Sequence, residues 1–168
     1  MKYRHEFSVP ESTATVWRFL ERPLDVARCM PGVESVEPLE GEADGYSVRA
    51  TRKLGPMSTT FEAKVRITGR VAAERIEFTA TGKAVRGAVG NFRARNAVTL
   101  VAEGTATRIA VEGEVALAGV LGSVGSAVIN KQAEKTTAEF ACNLEQALSA
   151  ADPSLAGAGL EEAAGERD

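Results

Sequence analysis

The sequence is poor in the residues from which most active sites are built. It contains one histidine, His5, and two cysteines, Cys29 and Cys142, which lie far apart. A metal cluster or a paired-histidine mechanism therefore lacks its residues, and two distant thiols make no disulfide framework. This cysteine usage is typical of a protein in a reducing cytosol.

The chain also lacks a long hydrophobic run. No stretch approaches the roughly 18 apolar residues of a membrane-spanning helix, and the first six residues contain no apolar signal core. Hydrophobic residues make up 44% and charged residues 26% of the 168 residues, which is typical of one folded globular domain. We therefore expect a cytoplasmic protein.

An excess of basic charge is missing as well. The chain has 20 basic and 23 acidic residues, and residues 150–168 contain one of these bases and five of these acids. The remaining 19 bases and 18 acids balance, so no nucleic-acid partner is expected. The sequence predicts a folded domain over residues 1–149 and a flexible, acidic, Ala/Gly-rich tail over residues 150–168.

Most of the chain alternates between apolar and polar residues with period two. This pattern predicts a first strand ending at Val9 and, after two short helices, six further strands. The first short helix begins at Ser12 or Thr13, and the second covers residues 24–30. Turn residues occur at 41–45, 55–56, 69–73, 82–90 and 103–104. Each strand has one apolar and one charged face, which is typical of an antiparallel sheet.

After Gly119 the apolar period changes to about 3.6, which predicts one helix of up to about 30 residues. Its apolar stripe consists of Leu121, Val124, Val128, Gln132, Thr136, Phe140, Leu144 and Leu148. Only this helix is long enough to cover the sheet. The predicted fold is therefore α+β: a curved, seven-stranded antiparallel sheet around one long C-terminal helix, with two short helices after the first strand.

Small residues on the apolar face predict a ligand cavity. Ala50, Ala80 and Gly113 are examples, and the chain has only nine aromatic residues. A straight helix over a concave sheet leaves room of the order of 300–1,000 Å³. The alternative is that the helix sits closer where side chains are small. The predicted ligand-binding residues are Phe61, Ala63, Phe78, Phe92, Ala94, Asn96, Val111, Gly113, Val128 and Gln132.

Two amides, Asn96 and Gln132, interrupt otherwise apolar stripes. A buried amide without a partner costs about 1–3 kcal/mol, so each needs a hydrogen bond. The partner is the backbone, the other amide or water in one interpretation, and a carbonyl or hydroxyl of a ligand in the other.

Candidates for catalysis are few. The acid–base groups to consider are His5, Asp25 and Glu34, and Cys29 is expected to be a buried, inert thiol. The glycine-rich residues 82–90 lack the Gly-Lys-Ser/Thr of a phosphate loop, so we expect a flexible hairpin connection there. Residues 119–125 open a helix without a parallel βαβ unit, so their glycines are expected to ease its approach to the sheet.

Five segments together resemble the CoxG family of carbon monoxide dehydrogenase subunits, which belongs to the START/Bet v1-like superfamily of helix-grip proteins. They are residues 7–10 with 16–20, Cys-Met-Pro-Gly-Val-Glu at 29–34, Lys-Leu-Gly-Pro-Met at 53–57, residues 115–119, and Phe-Ala-Cys-Asn-Leu at 140–144. The likeness covers residues 2–149. It implies that Trp17 packs the short helices on the sheet, that Pro31-Gly32 turns into strand two, and that Gly55-Pro56 shapes a hairpin near the pocket mouth.

The resemblance also implies a function. Members are accessory proteins of molybdenum-containing dehydrogenases at the inner face of the cytoplasmic membrane, where they handle a quinone. We thus expect a non-catalytic protein that binds a hydrophobic small molecule, a quinone or a lipid, with no covalently bound cofactor and no metal. The acidic tail opposes contact with an anionic bilayer, so any membrane contact is assigned to loops of the domain. The alternatives are a cyclase or dehydratase of the same superfamily, and an interaction module with a filled core.

Overall fold

The computed structural model describes residues 1–54, 56–87 and 89–151. The elements are β1 (Lys2–Val9), α1 (Thr13–Leu20), α2 (Pro23–Cys29), β2 (Val33–Pro38), β3 (Gly45–Leu54), β4 (Met57–Val71), β5 (Arg75–Arg86), β6 (Gly90–Glu103), β7 (Ala106–Gly119) and α3 (Ser126–Ala151). A short 3-10 helix, Val120–Ser123, joins β7 to α3. The strands form one antiparallel sheet in the order β1-β7-β6-β5-β4-β3-β2. The predicted architecture is confirmed.

The two short helices begin where local side chains satisfy their first backbone groups. Ser12 caps α1, because its hydroxyl accepts a hydrogen bond of 3.2 Å from the backbone N–H of Thr15. Pro23 occupies the first turn of α2, where a missing N–H costs nothing. The second helix therefore begins and ends one residue earlier than the predicted 24–30.

The strand register puts the predicted inward residues on one face. Val48 pairs with Ala63 across β3 and β4, and Ala80 pairs with Ala94 across β5 and β6. On the outer face, Arg49 lies 2.8 Å from a carboxylate oxygen of Glu62. Opposite charges next to each other on the wet face support the same register.

Two of the predicted turns are wrong. Gly69 lies within β4, at a register shift of the β4–β5 pair, and Gly82 lies within β5. A Cβ on Gly82 would come 2.7 Å from the ring of Phe92 and 2.5 Å from the carbonyl oxygen of Glu62. The glycine thus permits the Phe92 ring to approach the strand, and β5 continues to Arg86. The hairpin connection is confined to residues 87–89.

The long helix is shorter than predicted. It has 26 residues, which is about 39 Å at 1.5 Å per residue, and it begins at Ser126. Leu121, assigned to the helical stripe, instead lies buried in the 3-10 helix, and Val124 follows it as the C-cap. The left-handed φ of +74° at Gly119 redirects the chain before the helix starts. The helix packs chiefly against β1, β3 and the two short helices.

The closed core occupies one end of the fold. We call the following residues the core cluster: Val9, Val16, Trp17, Phe19, Leu20, Cys29, Ile76, Leu100, Ile109, Leu144 and Leu148. They join α1 and α2 to the C-terminal half of α3 and to the sheet. Trp17 is 8% exposed, so its predicted packing role is confirmed. Residues 152–168, most of the predicted tail, lie outside the described residues.

Candidate functional site

The inner face of the sheet is only partly buried beyond the core cluster. We call this region, with the first turns of α3, the open half. Its partly buried residues on the sheet and helix are Phe61, Ala63, Ala80, Phe92, Val115, Leu117, Val128 and Ile129. Apolar side chains in a closed core become almost fully inaccessible, as those of the core cluster do. The open half therefore keeps apolar surface in contact with solvent.

An aromatic pair dominates the wall of the open half. The rings of Phe61 on β4 and Phe92 on β6 meet edge to face, with centroids 5.4 Å apart, over the gap left by Gly82 on β5. Both residues were predicted to bind ligand. Ala63 lies beside this pair and is partly buried, whereas Ala94 is 8% exposed and thus nearly inaccessible.

Two predicted site residues lie at the border of the core instead. Phe78 and Val111 are partly buried and pack against the core cluster. They separate the closed end from the open half, so a ligand in the open half would meet them as its floor.

A polar pair lies on the inner face near β1. The Tyr3 hydroxyl donates a hydrogen bond to Oδ1 of Asn96, and a Cβ on Gly113 would come 2.6 Å from that hydroxyl. Gly113 thus makes the space in which Tyr3 reaches Asn96, and burial raises the pKa of Tyr3. Tyr3 was not assigned to the site. Its signal was the alternation of strand one, which placed it on the inward face.

His5 lies next to Tyr3 on the same face of β1. The two rings are stacked with centroids 6.5 Å apart. The Nε2 atom of His5 is buried and has no hydrogen-bond partner among the described residues. Such an atom favours a conformational change or a guest molecule that satisfies it.

The second predicted amide, Gln132, does not meet Asn96. Its side-chain nitrogen donates to the hydroxyl of Thr136, one turn further along α3, at a distance of 3.5 Å. This long hydrogen bond holds the amide weakly. Val128, one turn before Gln132, is partly buried.

The acid–base candidates do not converge. Asp25 forms ion pairs with Arg22 and Arg28 on α2. Glu34 belongs to β2, at the opposite sheet edge from His5, where a hydrogen bond from Thr51 and the pairing with Arg49 lower its pKa.

Metal ligands and a reactive thiol are missing in the same way. No group of three or more His, Cys, Asp or Glu residues could hold a metal ion within the described ranges. Burial, and next the charge of Asp25, raises the pKa of the buried Cys29 thiol, as expected for an inert cysteine.

Two depressions lie away from the open half. The larger, about 770 Å³, is on the outer face of the sheet, where Arg95 pairs with Glu114 and Arg75 with Glu77. The smaller, about 600 Å³, lies between α2 and α3. Their charged groups already pair with each other, which leaves the outer depression without an unsatisfied charge for a ligand.

A family model described as CoxG, a subunit of carbon monoxide dehydrogenase, matches residues 6–149. The chain belongs to this family. No curated protein sequence matches the chain. None of the described helices is long and apolar enough to cross a bilayer.

Solved structures show the same fold at low sequence identity. A conserved protein from Geobacillus kaustophilus is 16% identical with a TM-score of 0.79, covering 90% of this chain and 97% of that one. A START superfamily protein from Mycobacterium smegmatis is 12% identical with a TM-score of 0.66, covering 90% and 99%. An aromatase/cyclase from Streptomyces sp. R1128 is 16% identical with a TM-score of 0.57, covering 95% and 98%. The fold is thus START/Bet v1-like.

The motifs of the CoxG family hold the two ends of the chain together. Asn143 on α3 donates a hydrogen bond of 2.9 Å to the carbonyl oxygen of Cys29, the last residue of α2. Gly32 has a φ of +80° and makes the turn into β2, as expected. The Arg52 guanidinium donates to the carbonyl oxygen of Pro31 in that turn. Of the expected Gly55-Pro56 hairpin, Gly55 lies outside the described residues.

Proposed function

We propose that this member of the CoxG family is a non-catalytic accessory protein that binds a hydrophobic small molecule, a quinone or a lipid, in the open half. The observation that carries the proposal is the division of the inner face. The core cluster is closed around Leu144 and Leu148, whereas the apolar residues around Phe61 and Phe92 are partly exposed. Apolar surface held in a concave site favours an apolar guest.

Physical chemistry supports a container of this kind for a quinone. Each methylene of an isoprenoid tail carries about 0.8 kcal/mol of transfer free energy, so a soluble carrier must shield the tail from water. The polar ring needs hydrogen bonds instead. Tyr3 with Asn96, and Gln132 with its long bond to Thr136, are groups that could turn to a carbonyl or hydroxyl of the guest.

The proposed partners follow from the family. A protein of this family would link a molybdenum-containing dehydrogenase of the carbon monoxide dehydrogenase type to the membrane and its quinone pool. It would act in the cytoplasm and bind peripherally at the inner face of the cytoplasmic membrane. Family membership over residues 6–149 supports this assignment.

The test is to look for the guest and then to add it. Organic extracts of the purified protein are analysed by mass spectrometry, and its melting temperature is measured with short-chain quinones. A ligand at about 100 times its Kd adds about 2.7 kcal/mol, which corresponds to about 5–10 °C for a chain of this length. Extracts without quinone or lipid, together with an unchanged melting temperature, would refute the proposal.

A pair of adjacent substitutions localises the binding. Ala80→Phe puts a ring on the inner face at the centre of β5, whereas Thr81→Phe puts the same ring on the exposed outer face. We expect the first variant to lose the quinone-induced rise in melting temperature and the second to keep it. Equal binding by both variants would place the ligand elsewhere.

A further inference from the structure

Exposed apolar side chains gather at the end of the fold where the open half lies. Val89 is 71% exposed in the β5–β6 connection, and Val120 is 55% exposed directly after β7. Met57, at the start of β4, is 39% exposed. Single exposed apolar residues are common, but a group on neighbouring loops indicates a binding surface.

These loops touch each other. The backbone N–H of Leu121 donates a hydrogen bond of 3.1 Å to the carbonyl oxygen of Val89, which joins the β7–α3 connection to the β5–β6 connection. Gly87 lies against β4, because a Cβ on it would come 3.0 Å from the Cα of Thr59. The exposed apolar residues therefore belong to one continuous edge.

The same segments carry only positive charge. Residues 52–58, 83–93 and 115–131 contain six Lys or Arg residues and no Asp or Glu. Lys53, Lys83, Arg86 and Lys131 are exposed, and none of them forms an ion pair within the described parts of the chain. The nearest acid that senses Arg86 is Glu34, which is already bound by Arg49.

The opposite end has the reverse character. The β2–β3 connection and its flanks, residues 37–45, contain four acids and no base. Glu42 and Asp44 from this segment pair with Arg66 and Arg70. Basic charge without partners is thus concentrated at the open end, although the domain as a whole is nearly neutral.

We propose that this surface, which we call the basic rim (Met57, Lys83, Arg86, Val89, Val120 and Lys131), binds an anionic lipid bilayer. Its apolar side chains would enter the interface while its cations lie among the lipid phosphates. Because Val89 and Val120 follow closely on Phe92 and Leu117, the open half would then face the bilayer. The inference rests on the proposed function for the passage of the guest, but its lipid binding is measured separately.

The experiment is co-sedimentation of the full chain with vesicles. Phosphatidylcholine vesicles are compared with vesicles in which about a third of the lipid is phosphatidylglycerol, at low and at high salt. We expect binding to the anionic vesicles that salt weakens. The double variant K83A/R86A should bind about 25-fold more weakly, since each base near an anionic surface contributes about fivefold, or about 1 kcal/mol. V89D/V120D should lose binding.

The opposite end offers a matched control. Val71 and Val101 are 50% and 42% exposed outside the basic rim, so V71D/V101D should bind vesicles as the original chain does. Melting temperatures verify that all variants fold. Equal vesicle binding by the rim and control variants, or no binding by the original chain, would overturn the inference and favour an acidic protein partner.

Quinone binding without vesicles separates the two proposals. If the rim variants bind quinone but not vesicles, the rim is supported as a lipid-binding surface that is distinct from the ligand site. If the original chain binds vesicles but no quinone, the rim inference stands and the proposed carrier function fails.

Discussion

The division of the fold into a closed and an open half predicts unequal costs for matched substitutions along α3. Leu144 is 0% exposed in the core cluster, whereas Ile129 is partly buried in the open half. The two side chains are isomers, so Leu144→Ala and Ile129→Ala remove the same atoms. Leu144→Ala should lower the free energy of unfolding by about 3–4 kcal/mol, from lost burial and the cavity left behind. Ile129→Ala should cost about 1 kcal/mol, because its site is already open.

Urea titration of both variants without ligand measures this difference, and thermal melting should show drops of about 10 °C and about 3 °C. With quinone present the order reverses. Ile129→Ala should weaken quinone binding by about tenfold, since it removes apolar contact with the guest, and Leu144→Ala should not. If Ile129→Ala proves as costly as Leu144→Ala, the open half is closed core and the reasoning fails.

Three further predictions concern the rest of the chain. Asn143→Ala should lower the free energy of unfolding by about 1 kcal/mol in urea titrations, since the carbonyl oxygen of Cys29 loses its donor. In the native protein a thiol reagent should modify exposed Cys142 at once and Cys29 only after unfolding; equal rates would contradict this. The Arg70 hydrogen bond lowers the pKa of Asp44, so its stabilisation is complete above the unfolded pKa near 3.8 and is lost as pH falls through the folded value. The urea midpoint should thus fall below about pH 4, and less so in Asp44→Asn, with Asp44→Ala at neutral pH as the unpaired reference.

The fold could be predicted in detail because its signals are local. Alternation assigns each residue of a two-faced strand to the inner or outer side, and the change of period after Gly119 announces the helix. The errors arose at glycines. Gly69 and Gly82 read as turn residues, yet one lies at a register shift and the other makes room for Phe92. A sequence shows that a glycine needs no side chain space, but not which neighbour takes that space.

The site was predictable only in part. Alternation identified Phe61 and Phe92 as inward residues, but their contact depends on Gly82, two strands being brought together over a third. The partner of Asn96 was open from sequence, because Tyr3 is 93 residues away and reaches it over Gly113 of the intervening strand. Long-range register decides both arrangements, and no local pattern contains it.

The basic rim shows how topology creates a property that no single segment has. In an antiparallel meander, alternate connections fall at the same end of the sheet, so the β3–β4, β5–β6 and β7–α3 connections meet. Each contributes only one or two cations, and the acidic β2–β3 connection falls at the other end. A nearly neutral domain thereby gains a charge separation along its long axis, which orients it in the field of an anionic surface. The open half and the cations share one end, so an orientation set by charge also directs the site to the membrane.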